Sequence, residues 1–257
     1  MRKLIIANWK MNPQTPQQAL QLADKVGRGV RKFRNVEVVL APPFVFLSDV
    51  SSSMLRASRF KLAAQDVFWM NPPAGGGGAY TGEISAVQLK AYGVKLVIVG
   101  HSERRELGET NDIVRQKIKT VLENGMRAVL CVGEKEKERE VVFPKIIRDE
   151  LHEGLKKIKK SLIKNLIIAY EPIWAIGGGK ADTPKDVYEM SILLRRELYK
   201  MFGKRIASRI PILYGGSVDL ANAAEFVSKG AADGLLVGGA SLNPKSFVKI
   251  VEEVSAI

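Results

Sequence analysis

Short runs of apolar, largely β-branched residues recur along the chain at 4–8, 36–41, 61–65, 95–100, 127–132, 166–170, 210–214 and 234–238. They are continuous rather than alternating, the pattern of a parallel strand covered on both faces. Between them, Ala19, Leu22, Ala23 and Val26 fall at helical spacing, as do Ile113, Val114, Ile118, Val121 and Leu122. Val187, Met190, Leu193 and Leu194, and then Ala223, Phe226 and Val227, repeat it. Thr15-Pro16, Thr183-Pro184 and Asn243-Pro244 each put proline at a first helical position behind a capping residue. No hairpin signal joins two strands. A 257-residue chain divided among eight strands leaves about 32 residues per unit, close to the ~30 or more that a strand and its crossover helix need. The pattern predicts an α/β fold, one (β/α)8 barrel over residues 1–257, with a doubly wound open sheet as the alternative. No linker divides the chain, and the glycine run at 75–78 reads as a loop tip.

Composition narrows the class. With 46% hydrophobic and 26% charged residues, the chain can build a core, and a disordered or fibrous class is excluded. Cys131 stands alone, so no internal disulfide forms, and the apolar run at 4–7 is too short for a secretion signal or a membrane span. A cytoplasmic protein without a membrane partner is expected. Forty Lys and Arg against 27 Asp and Glu give +13, compatible with nucleic acid, an anionic substrate or a merely basic surface. Absence of a base-stacking motif or zinc spacing, with 7% aromatic residues, argues against a nucleic-acid partner.

A barrel carries its chemistry at the carboxyl ends of its strands. There the sequence places Asn8-Trp9-Lys10, His101-Ser102-Glu103 and Glu171-Pro172, so Lys10, His101 and Glu171 converge from three strands. Gly215-Gly216-Ser217 and Gly238-Gly239 follow the last two strands, each with a helix start expected behind it. Lacking a Cβ, such turns let backbone N–H groups approach an anion. Either pair alone reads equally well as a tight turn; both together predict a phosphate cradle. Glu171 is followed by Ile173, Trp174 and Ile176 and then by glycines at 177–179, which predicts a closing lid with a flexible hinge. A lone histidine is more often a buried, satisfied residue, but His101 lies at a strand end before a helix start, where a neutral donor imidazole is expected. His152, in the charged stretch 148–160, reads as a solvated helix-face residue.

Asn8-Trp9-Lys10-Met11-Asn12, Gly100-His101-Ser102-Glu103-Arg104-Arg105, Cys131-Val132-Gly133-Glu134, Tyr170-Glu171-Pro172-Ile173-Trp174, Tyr214-Gly215-Gly216-Ser217 and Val237-Gly238-Gly239 together resemble the triosephosphate isomerase family. The motifs keep the family's order from residue 7 to residue 242. The resemblance, not the spacing, implies interconversion of dihydroxyacetone phosphate and glyceraldehyde 3-phosphate in glycolysis and gluconeogenesis. It implies Glu171 as the base, His101 as the neutral electrophile and Lys10 as the cation, with Asn8, Ser102 and Glu103 in support. Gly177, Ser217, Gly238 and Gly239 would hold the phosphate, with no metal or organic cofactor. It also implies a homodimer through the loop around residues 66–82.

The chain departs from the family pattern in several places. The hinge that usually reads Gly-Thr-Gly-Lys has glycine at 178, so Gly178→Thr is expected to lower KM or phosphate elimination. The loop at 66–80 is longer than usual, Ser191 replaces a frequent histidine, and Pro211 a frequent arginine. Another sugar-phosphate isomerase or epimerase would share the phosphate cradle but not the Asn-Trp-Lys, Gly-His-Ser-Glu and Tyr-Glu-Pro combination. An anion- or nucleic-acid-binding protein would show salt-dependent retardation in a gel.

Overall fold

A computed structural model describes residues 2–55, 59–72, 77–136, 143–176 and 182–257. Eight strands, β1 (Lys3–Asn8), β2 (Val36–Ala41), β3 (Phe60–Ala64), β4 (Val94–Val99), β5 (Arg127–Val132), β6 (Leu166–Tyr170), β7 (Ile212–Tyr214) and β8 (Gly234–Val237), close into one barrel in chain order. All neighbours are parallel, and β8 pairs back on β1 with Ile5 opposite Leu235, so the open-sheet alternative is excluded. The helices are α1 (Pro16–Val30), α2 (Leu47–Leu55), α3 (Ala86–Ala91), α4 (Ser102–Glu106) and α5 (Asn111–Glu123) in the first half. The second half adds α6 (Lys145–Leu155), α7 (Pro184–Phe202), α8 (Lys204–Ala207), α9 (Ala223–Ser228) and α10 (Pro244–Ser255). Among the described residues no helix is long and apolar enough to cross a membrane.

The proline starts behave as chemistry requires. Thr15 accepts from the Gln18 N–H ahead of α1, Thr183 from Asp186 ahead of α7, and Asn243 from Lys245 and Ser246 ahead of α10. Pro211 delays the seventh strand by two residues relative to the run at 210–214, because it has no N–H to give to a ladder. The Ile212 N–H next to it goes to the Asp233 carboxylate at 2.9 Å.

The apolar runs divide by parity. Leu4, Ile6, Val39, Ala63, Leu96, Ile98, Val129 and Ile167 fill the barrel interior, while the alternate residues face the helices in a second cluster. At the amino ends of the strands, Glu37 of β2 reaches Lys61 of β3 (3.0 Å) and Arg127 of β5 (2.6 Å). Burial works to raise the Glu37 carboxyl, but Arg127 and Lys61 outweigh it and hold it below the usual 4.5. At the other end the interior becomes polar, with Asn8 and Glu171 both buried. His152 is only half solvated, since its Nε2 lies 3.2 Å from Glu197 of α7.

Candidate active site

Asn8 ends β1 with its side chain buried, and its Oδ1 accepts the Lys10 N–H at 3.1 Å. That local bond supports the left-handed Lys10 backbone, φ 52°, which a lysine rarely adopts. The Gln65 amide, just past β3, secures the same turn by donating to the carbonyls of Lys10 and Ala41, both at 2.8 Å. The Lys10 ammonium meets Glu103 Oε1 at 2.6 Å on the rim.

His101 follows β4 and caps α4: its Nδ1 accepts the Glu103 backbone N–H at 3.2 Å. A nitrogen that accepts carries no proton, so the ring proton sits on Nε2, which faces Glu171 Oε1 at 3.4 Å. Glu171, 1% exposed at the end of β6, accepts the Ser102 N–H on Oε2 at 3.1 Å. Its Oε1 has no hydrogen-bond partner among the described residues, an arrangement costly for a buried carboxylate unless a ligand or a proton is to arrive there. The backbone under it is tightly held. The Glu171 N–H donates to Val132 at 2.8 Å, and Gly133 comes so close that a Cβ there would stand 1.7 Å from the Glu171 carbonyl oxygen. Cys131 lies beneath with its thiol pushed far up by burial and by Glu171, so it offers no thiolate nucleophile.

On the far side, the turn after β8 places Gly238 beside Lys10, where a Cβ would make ordinary contact with the lysine Cε at 3.5 Å. A 3-10 turn, 239–242, follows directly. After β7 the next helix, α9, starts at Ala223, several residues beyond the glycine turn. The intervening residues form a turn closed by Asp219, which accepts from Ala221 and Asn222, while Asn222 donates to the Ser217 carbonyl at 3.1 Å.

These parts enclose a cleft of about 350 Å³, at the small end of ligand pockets. Of the ten residues expected from the sequence, Asn8, Lys10, His101, Glu171, Ser217, Gly238 and Gly239 line it. Ser102 and Glu103 stand behind, holding Glu171 and bridging Lys10 to His101. Gly177 and the hinge at 178–180 lie outside the described residues. Ile176, which the sequence places in the lid, lines it too, and Val218 and Leu242 add apolar wall that the sequence reading did not single out. The apolar lid start does fold onto a partner, for the Trp174 indole donates to Glu134 at 2.8 Å.

A small cleft with one carboxylate, one neutral imidazole, one ammonium and two glycine turns on a barrel can be compared with known proteins. The family model described as triosephosphate isomerase matches residues 3–254. A triosephosphate isomerase of Thermoanaerobacter pseudethanolicus is 44% identical over 255 residues, 98% of this chain and 99% of that protein. Those of Fusobacterium nucleatum and Dictyoglomus thermophilum are 42% and 40% identical, each over 98% of this chain and 99% of their own length. Matched by the family model over residues 3–254 and by these relatives over 98% of its length, the chain belongs to the triosephosphate isomerase family.

Proposed function

We propose that the cleft carries the family's reaction through Glu171, His101 and Lys10. The chain is an aldose-ketose isomerase that interconverts dihydroxyacetone phosphate and glyceraldehyde 3-phosphate. Glu171 Oε1 takes a proton from the carbon beside the carbonyl, and the C–H electron pair moves through the new C=C bond onto the carbonyl oxygen. His101 Nε2–H donates to that oxygen and then recovers a proton from the neighbouring hydroxyl. Glu171 returns its proton to the former carbonyl carbon. The Lys10 ammonium offsets the negative charge of the enediolate, and Asn8 orients the substrate. Ser217, Gly238 and Gly239, with Gly177, hold the phosphate. The observation that carries this reading is the buried, unbonded Glu171 Oε1 facing the Nε2 proton of His101.

A coupled assay on glyceraldehyde 3-phosphate tests it. The wild type turns over, and Glu171→Gln loses roughly a thousandfold in kcat with little change in KM. A variant as active as the wild type refutes the assignment of the base.

One chain forms one catalytic unit, the protein works in the cytoplasm, and two copies pair through the loop at 66–82. Support for the pairing comes from that loop's own anchoring: Phe68 packs on Trp69 and Tyr80, and Thr120 of α5 donates to the Trp69 carbonyl at 2.9 Å. Beside the mouth, Met11 and Val45 are 85% and 76% exposed, apolar surface that a second copy would cover. Light scattering showing an active monomer at micromolar concentration refutes it.

A further inference from the structure

Behind the cleft lies a second hollow of about 610 Å³, bordered by α4, the start of α5 and α6. Glu150, on the inner face of α6, lines it and is 5% exposed. Its Oε2 accepts the Gly133 N–H at 2.9 Å, and its Oε1 lies 3.3 Å from Arg105 Nε. The Arg105 guanidinium also donates to the Gly100 carbonyl (2.8 Å), to Asn111 Oδ1 (2.7 Å) and to the Cys131 carbonyl (3.5 Å). Both routes end on the reacting groups. Gly100 directly precedes His101, and Gly133 packs against the Glu171 carbonyl.

We propose that Glu150 is a positioning residue for the isomerisation: its carboxylate, through Gly133 and Arg105, holds the strand ends that carry Glu171 and His101, and neutralising it slackens both. A neutral acid on this spot keeps its shape but no longer balances Arg105, and its bond to Gly133 loses charge assistance. This deepens the reading of Glu171 and His101 as the reacting pair.

The surroundings make the charge of Glu150 variable in the working range. Burial pushes its carboxyl up to about 7 against the opposing pull of Arg105 and the Gly133 N–H, with Glu171 and Glu134 pushing the same way as burial. Among the described residues Arg105 of α4 is the cation in contact; Lys135, beyond β5, and Lys145, on the same helix, line the hollow. The acids among the described residues around that hollow are Glu106 and Glu109 on the α4 side and Asp149 on α6, while the Cys131 thiol of β5 also senses Glu150. The hollow lets Glu150 exchange its proton with water without opening the substrate cleft.

The test compares kcat and KM of the wild type and Glu150→Gln between about pH 6 and about pH 9, taking ratios so that titration of the substrate phosphate cancels. The wild-type to variant ratio of kcat is expected near one at the acid end. It should rise with a midpoint near 7 to roughly three- to tenfold at the alkaline end, while the KM ratio stays flat. A kcat ratio that does not change with pH, or a difference confined to KM, overturns the proposal. If Glu150→Gln does not fold, infrared difference spectra of wild type labelled with carbon-13 glutamate decide. A buried carboxylic acid band must vanish across neutrality as kcat rises, and its absence overturns the proposal. Failure here leaves both enzymes active, whereas failure of the parent reading shows as an inactive wild type or an active Glu171→Gln.

Discussion

Replacing Gly133 by alanine adds one methyl group where the barrel has no space for it. The new Cβ would stand 1.7 Å from the Glu171 carbonyl oxygen, 2.7 Å from its carbonyl carbon and 3.3 Å from its Cα. Real Cβ contacts essentially never fall under 3.0 Å, so the ends of β5 and β6 must part by at least the difference between 1.7 and 3.0 Å. The obstacle is backbone and cannot rotate away. Three bonds resist the parting: Glu171 N–H to Val132 at 2.8 Å, Gly133 N–H to Glu150 at 2.9 Å and Ser102 N–H to Glu171 at 3.1 Å. Overpacking of this size costs about 1–3 kcal/mol, within the margin of a folded barrel, and lowers the melting temperature by about 2–4 °C for each kcal/mol. The catalytic cost is larger, because misplacing a reacting group by about 1 Å costs on the order of a hundredfold. Gly133→Ala is therefore expected to be folded by circular dichroism, to lose kcat by roughly two orders of magnitude and to keep KM within a few-fold. A folded variant with kcat within about threefold of the wild type would show that close backbone approach does not position Glu171.

Two further predictions concern stability. Lys117 is 4% exposed between Asp66, at 2.6 Å, and Glu109, which it also contacts, and Arg104 completes the network. Lys117→Met leaves Asp66 and Glu109 to share Arg104 and is expected to cost up to about 3–5 kcal/mol in denaturant unfolding; a loss under about 1 kcal/mol means Lys117 contributes little to the network. Glu150 supplies the pH dependence. Its folded value, about 7 against an ordinary 4.5, is raised, so its stabilising contribution is complete below 4.5 and is lost as pH rises through 7. At about 1.4 kcal/mol for each unit of pH, the charged form costs on the order of 3 kcal/mol. Glu150→Gln removes that dependence, so its melting temperature should gain on the wild type between about pH 5 and about pH 8; parallel curves contradict the linkage.

The legible part of this fold is local. A continuous β-branched run specifies a strand wherever it falls, because it pays no penalty for burial on both faces, and all eight runs form strands. Thr-Pro and Asn-Pro specify helix starts through contacts within four residues. The same kind of signal was available for α3, where Ser85 and Gln88 form a reciprocal capping box. Strand ends also suffice to place Lys10, His101 and Glu171 on one mouth, since a parallel barrel has only one end where its strands finish.

What local pattern does not contain is the partner of a residue far away in the chain. Glu150 reads as one more acid in the charged stretch 148–160, and only the barrel brings it against Gly133 and Arg105. Gly133 is one small residue within a motif until β6 arrives beside it. The charge excess behaves the same way. Arg31, Lys32 and Arg34, then Lys156, Lys157, Lys159 and Lys160, then Lys204, Arg205 and Arg209, are separate clusters in sequence, all exposed. The first two follow α1 and α6 and the third spans α8, each shortly before a strand, so the fold gathers them at the end of the barrel opposite the mouth. Periodicity and capping act over a few residues and are written in the sequence directly. Close approach, ion pairing and desolvation depend on distances between segments, and those exist only once the barrel has closed.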